Sequence, residues 1–142
     1  MSLDLQALET SFDIVAPRGD ELMDVFYARL FAAAPGLRPL FASTDLRRQK
    51  AMLLGALVLV RKSLRNLDAL LPALRDLGAR HVAYGAKPEH YLVVGEVLIA
   101  SLAELAGDAW RPEHELAWGA AFALIADAML SGARVAEADL AA

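Results

Sequence analysis

A histidine, a glutamine and a tyrosine each fall on an otherwise apolar helical stripe of this 142-residue sequence. His81 closes the series Leu70, Leu74, Leu77, His81, spaced by four, three and four residues, so that at the helical repeat all four share one face. Gln49 opens the series Gln49, Leu53, Leu57, Val60, Leu64; its amide is expected to point inward, which costs free energy unless its polar atoms find partners. Tyr27 joins Met23, Leu30 and Phe31 on a third inner face, and a buried phenol needs a partner as well. An imidazole is a metal ligand and proton carrier, whereas an amide and a phenol are hydrogen-bond donors. A lone inward histidine is more often a core residue than a ligand; with two further inward polar groups, the three call for one common explanation. His90 and His114 follow Glu89 and Glu113 at expected helix starts and read as solvated surface residues. Arg47, Arg48 and Lys50 around Gln49 read as a mostly solvated face.

The elements that must position these groups are all helical, since the long segments carry a helical period and none shows strand alternation or Asn-Gly hairpin signals. The first helix places Leu5, Leu8, Phe12 and Val15 on one face and stops before Pro17, whose ring cannot continue the ladder. A second runs from about Asp20 to Ala34, and Pro35 to Phe41 forms a tight corner rich in Pro and Gly. Ser43, Thr44 and Asp45 offer caps for a long helix to about Leu64. A shorter one follows the break at Asn66 and Asp68 and reaches Tyr84-Gly85. Pro88 suits the first turn of the next, to about Ala106, and Pro112 begins the last, to about Leu130. About six substantial helices are expected in one domain, 1–133. Residues 134–142 read either as an extension of the last helix or as a frayed tail.

Composition narrows the function. A net charge of −4 with no basic stripe argues against nucleic acid as a partner. The absence of cysteine excludes disulfides, zinc-thiolate and iron-sulfur ligation, and thioether attachment of a cofactor. The chain is 57% apolar with a mean hydropathy of +0.38, more apolar surface than a minimal core needs and enough to accommodate an apolar cofactor. Its longest uncharged apolar runs, Ala51 to Val60 and Leu116 to Ala126, fall short of the ~18 residues of a membrane span. The start Met1-Ser2-Leu3-Asp4 lacks the pattern of a secretory signal, so a cytoplasmic location is expected.

The segments Phe26-Tyr27-Ala28-Arg29-Leu30-Phe31, Pro35 and Arg38-Pro39-Leu40-Phe41 resemble the region before the haem pocket of bacterial haemoglobins and flavohaemoglobins. The likeness continues through Leu77 to Gly85, His90-Tyr91, Ala117-Trp118-Gly119 and Ile125-Ala126-Asp127. Tyr27 and Phe41 are 14 residues apart and Gln49 and His81 are 32 apart, which is the family's spacing for distal tyrosine, haem-contacting phenylalanine, distal glutamine and proximal histidine.

The resemblance implies a globin fold around non-covalent haem b, with His81 as the iron ligand. It also implies Tyr27 and Gln49 as donors to a bound gas, and Phe41 and Leu53 as an apolar wall against the haem. It implies dioxygen, nitric oxide and carbon monoxide as ligands, and reversible dioxygen binding or transport as the function. By analogy with flavohaemoglobins, a nitric oxide dioxygenase served by a separate reductase is the enzymatic alternative, since no Gly-rich phosphate fingerprint occurs in this sequence. A gas sensor is a third reading. Tyr91 resembles the family tyrosine that contacts the proximal histidine. The glutamate that completes that contact is missing: aligned on Trp118, its place is taken by Ala133, with Glu137 one turn later.

Overall fold

In a computed structural model of the chain, residues 3–141 are described. Among them six α-helices, joined in part by 3-10 turns, carry the regular structure and no strand occurs, as the periodicity predicts. They are α1 (Leu5–Val15), α2 (Gly19–Ala33), α3 (Leu46–Ser63), α4 (Leu67–Ala83), α5 (Pro88–Ala106) and α6 (Pro112–Ala141).

Local chemistry sets the boundaries. Asp4 caps α1 by accepting the Ala7 N–H at 3.0 Å, and Asp45 caps α3 by accepting the Arg47 N–H at 3.1 Å, each satisfying an end-of-helix donor. Pro17 lies in the 3-10 turn that bends α1 into α2, and Pro35 and Pro39 hold the corner Pro35–Phe41 in the same tight form. The end of α4 is a Schellman motif: the Ala86 N–H donates to the His81 carbonyl at 3.0 Å and the Gly85 N–H to that of Val82 at 3.1 Å. Gly85 has φ 88 there, a conformation that favours glycine. The tail left open by the sequence continues α6 as helix to Ala141.

The main core lies where α1, α2, α5 and the first half of α6 meet, around Leu8, Phe12, Leu22, Met23, Phe26, Leu30, Leu102 and Trp118. Burying one such large side chain stabilises by about 1.5–3 kcal/mol. Ser11, fully buried, joins α1 to α6: it donates to the Ala7 carbonyl at 2.6 Å and accepts from Trp118 Nε1 at 2.8 Å. A second, smaller core of Leu70, Leu74, Ala128 and Met129 lies between α4 and α6. There the helices meet backbone to backbone. A Cβ added at Gly78 would lie 1.9 Å from the Met129 carbonyl oxygen, and one at Gly132 the same distance from that of Arg75.

α6 is also where the expectation of no membrane span meets its one apolar helix among the described residues. Its stretch Pro112–Asp139 is long and apolar enough to cross a membrane by length and composition, with mean hydropathy 1.5 over its best window. The sequence reading counted uninterrupted uncharged runs, and Asp127 cuts this one short. The inner face of the same helix is buried core, including Ala117, Trp118, Ala121, Ala128, Met129 and Ala133, so packing accounts for the apolar content of that face.

Candidate functional site

Tyr27 is carried inward by α2 together with Met23 and Leu30 and is 3% exposed. Its ring meets Phe26 edge-on at 4.9 Å between centroids and lies 6.0 Å from both Phe31 and Phe41. Phe31 and Phe41 are themselves 5.5 Å apart in a T-shaped pair, and the Arg38 guanidinium stands 4.8 Å over the Phe31 ring. The Pro35–Phe41 corner thus folds back to close an aromatic enclosure around the phenol. Gln49, from the first turn of α3, brings its amide near the Tyr27 phenol. Burial pushes the Tyr27 phenol above its ordinary pKa of 10.0, and the neighbouring Gln49 amide pulls the other way. Leu53, one turn after Gln49, packs half-buried against the same core. Tyr27, Phe41, Gln49 and Leu53 are therefore brought to one region, as their inward stripes predict.

His81 stands on the last turns of α4, half-buried, with Leu77 packed against the smaller core on the same face. Its Nδ1 lies 2.7 Å from the Leu77 carbonyl oxygen. A carbonyl only accepts, so Nδ1 carries the proton and the neutral ring keeps its lone pair on Nε2. The ring beside His81 is that of Tyr84, 5.5 Å away and 61% exposed; no sequence signal singled it out. Leu40 lies 3.2 Å from where a Gly85 side chain would begin, so the corner that ends in Phe41 also abuts the turn that follows His81.

The other two histidines have the opposite proton arrangement. His90 Nδ1 accepts the Lys87 N–H at 3.0 Å, and His114 Nδ1 accepts the Arg111 N–H at 3.0 Å. With Nδ1 as acceptor, a neutral ring carries its proton on Nε2 and offers no lone pair there. Each imidazole sits at the third position of its helix and reaches back to the cap residue, as the glutamate of a capping box does. The repeated tripeptide Pro-Glu-His, at 88–90 and 112–114, was the available signal. His114 is 5% exposed and packs on Trp110 at 5.6 Å between centroids. The expectation of a solvated surface residue therefore fails for His114, because its cap bond and its tryptophan neighbour draw it into the fold.

Tyr91 packs at the edge of the Leu70, Leu74, Ala128 and Met129 cluster, and burial pushes its phenol up. It borders a small cleft of about 110 Å³ with Ala86, Pro88, Leu130, Ala133, Arg134 and Glu137. The substitution of Ala133 thus leaves a carboxylate one turn further on against the same cleft. Arg47 and Arg48 are exposed, as expected, while Lys50 is half-buried and paired with Asp24 at 3.0 Å. Among the described residues no three His, Asp or Glu side chains converge into a metal cluster. A single imidazole with a free Nε2 suits a metal whose remaining ligands come from a macrocycle.

The all-helical architecture is that of a globin. A family profile described as Globin matches residues 24–129, and the chain belongs to the globin family. Within it the relatives are flavohaemoproteins and bacterial globins. It is 28% identical over 128 residues to a flavohaemoprotein of Bacillus subtilis, covering 89% of this chain and 32% of that protein. To one of Rhizobium meliloti it is 34% identical over 116 residues, covering 80% and 29%. The chain thus spans about a third of the length of the curated relatives it matches. Among solved structures, an engineered carbene transferase, made from a Rhodothermus marinus protein named for nitric oxide dioxygenase activity, superposes with a TM-score of 0.87 at 25% identity over 97% of this chain and 96% of that one. A bacterial globin of Campylobacter jejuni gives 0.79 at 24% identity, covering 92% and 94%, a likeness of fold.

Proposed function

We propose that this chain binds haem non-covalently, with His81 Nε2 as the iron's protein ligand, and reversibly holds dioxygen and other diatomic gases on the side of Tyr27 and Gln49. The observation that carries the reading is the contrast among the three histidines: His81 alone has its Nδ1 proton held by a carbonyl and its Nε2 lone pair free. Haem, when bound, supplies an iron able to take a diatomic gas. The chain's own residues do the rest. The Leu77 carbonyl fixes the tautomer and orientation of the imidazole. Tyr27 and Gln49 provide donors, and the phenol stays neutral because burial disfavours its anion. Phe41, Leu53 and the rings around Tyr27 form an apolar wall that limits water. With no cysteine in the chain, retention of the group depends on His81 and apolar packing, as for haem b.

The name of the Rhodothermus marinus neighbour favours a second reading from the same residues, a nitric oxide dioxygenase, and the flavin in the name of the flavohaemoprotein relatives favours a reductase as its source of electrons. Both readings need the donor pair. In the haem-loaded ferrous protein, Tyr27→Phe is expected to speed dioxygen release by roughly tenfold or more, because one hydrogen bond to a polarised partner is worth about 1–3 kcal/mol. Gln49→Leu should act in the same direction, and carbon monoxide release should change less. Stopped-flow release rates check this; an unchanged dioxygen rate in both variants contradicts the assignment of the distal side.

A further inference from the structure

α3, which carries Gln49 and Leu53, is attached to the molecule in an unusual way. It is 18 residues long and fully buries only Leu57, with Leu46, Leu53, Leu54, Val58 and Val60 packed half-buried against the main core, whereas the 15-residue α2 fully buries six residues. The seam between α2 and α3 is open beside Lys50, where Asp20, Met23, Asp24, Arg47, Lys50 and Ala51 line a cleft of about 400 Å³. Charge is distributed to match. Residues 38–65 hold seven of the fourteen Lys and Arg of the chain and only Asp45 of its eighteen acidic residues, while six acidic residues lie in the first 24 positions.

Those opposite charges meet at both ends of α3. Near its start, Lys50 Nζ lies 3.0 Å from Asp24 Oδ1. Near its end, Arg61 binds Asp13 through two bonds of 2.9 and 3.0 Å and reaches Glu9 at 3.5 Å. Arg65, just beyond, grips Glu9 at 2.7 and 3.2 Å. Lys50 and Arg61 have side chains 29% exposed and Glu9 21%, while Asp24 and Asp13 are 67% and 56% exposed, so each pair has one sheltered partner and remains open to screening by salt. Arg61 also holds the Asp13 carboxyl below its usual range. The first pair has a particular place. Asp24 precedes Tyr27 by three residues on α2, and Lys50 follows Gln49 by one on α3, so Asp24–Lys50 and Tyr27–Gln49 are neighbouring rungs between the same two helical turns.

We propose that Lys50 and Arg61 are positioning residues: their ion pairs to Asp24 and to Asp13 and Glu9, added to a half-buried apolar face, hold α3 in the register that brings Gln49 to Tyr27. The consequence for a bound gas rests on the haem reading above; the consequence for α3 does not.

The test therefore has two arms. In the first, amide hydrogen exchange is followed in the full chain without reference to any ligand. Raising salt from 0.05 to 0.5 M, or introducing Lys50→Glu, should speed exchange in α3 by roughly two- to five-fold, with α5 unchanged. Arg61→Glu should do more, and the swapped pair Lys50→Glu with Asp24→Lys should return the rate toward that of the parent. The salt series needs no variant, so a poorly folded mutant does not blunt the test. Exchange in α3 that ignores salt and both reversals, or a swap that fails to restore protection, overturns the proposal whatever the protein binds. In the second arm, dioxygen release from the haem-loaded protein should quicken in Lys50→Glu and recover in the swap. The same change made in a Gln49→Leu background should add nothing, since Lys50 acts through Gln49. A full additional effect there overturns the positioning role. Failure to take up haem would overturn the functional reading and leave the first arm standing.

Discussion

Tyr27 is held by side chains on every side, a ring 3% exposed among Phe26, Phe31 and Phe41. His81 is half-buried on a helix secured mainly by backbone against backbone, with four buried residues in the core beneath it. The two regions place a polar group with similar definition by different means. In the first, orientation comes from interlocking aromatic shapes, so a donor is fixed by its neighbours' volume. In the second it comes from close helix approach at two glycines and from one hydrogen bond to the preceding turn. The difference teaches where each region is vulnerable: the aromatic enclosure to loss of volume, the α4–α6 crossing to gain of a single methyl.

The crossing gives the largest expected effect. Gly78→Ala or Gly132→Ala drives a Cβ to within 1.9 Å of a carbonyl oxygen, so the helices must separate, at a cost of about 3 kcal/mol or more. Gly119, with nothing within 4 Å of an added Cβ, is the control: Gly119→Ala should be neutral or stabilise by up to ~1 kcal/mol. Urea unfolding checks both, and equal stability across the three variants would remove the backbone contact from the account.

The aromatic enclosure is sharpened by pH. Because burial raises the Tyr27 pKa above 10.0, the folded state favours the neutral phenol. That contribution is present below the ordinary phenol value and is lost as pH rises through the folded one. The stability gap between parent and Tyr27→Phe should therefore shrink as pH climbs from 7 past 10, and Tyr91, common to both, cancels. Denaturant midpoints across that range measure it, and a gap independent of pH would place the phenol in water. Smaller again is the effect at the helix starts. His114→Ala removes a buried cap bond and should cost about 1 kcal/mol, while His90→Ala, at a half-buried imidazole, should cost less. Thermal unfolding distinguishes them; a reversed order would contradict the burial of His114.

The positions of Tyr27, Gln49, Leu53 and His81 were legible because each lies on a helix whose apolar face repeats locally, and helix ends were legible wherever Pro, Gly or an Asp cap acts within a few residues. What escaped is non-local or depends on geometry finer than a face. Lys50–Asp24 spans 26 residues and Arg65–Glu9 spans 56, so the run Arg47 to Lys50 reads as solvated until α2 is beside it. Gly78 and Gly132 are ordinary helix interruptions in the sequence, and only the crossing gives them a reason. The burial of His114 was missed because a histidine next to glutamate at a helix start is usually wet, and Trp110 decides otherwise. Glu137 meets the Tyr91 cleft only because α6 continues as helix past residue 133.

The most direct test of the central claim is the optical spectrum of the haem-loaded protein, ferric, ferrous and carbon monoxide-bound, for the parent and the three single variants His81→Ala, His90→Ala and His114→Ala. The account predicts a histidine-ligated iron with an open sixth position in the parent, unchanged in His90→Ala and His114→Ala, and loss of that ligation with weaker haem retention in His81→Ala alone. A His81→Ala protein that keeps the parent's histidine-ligated spectrum would contradict it.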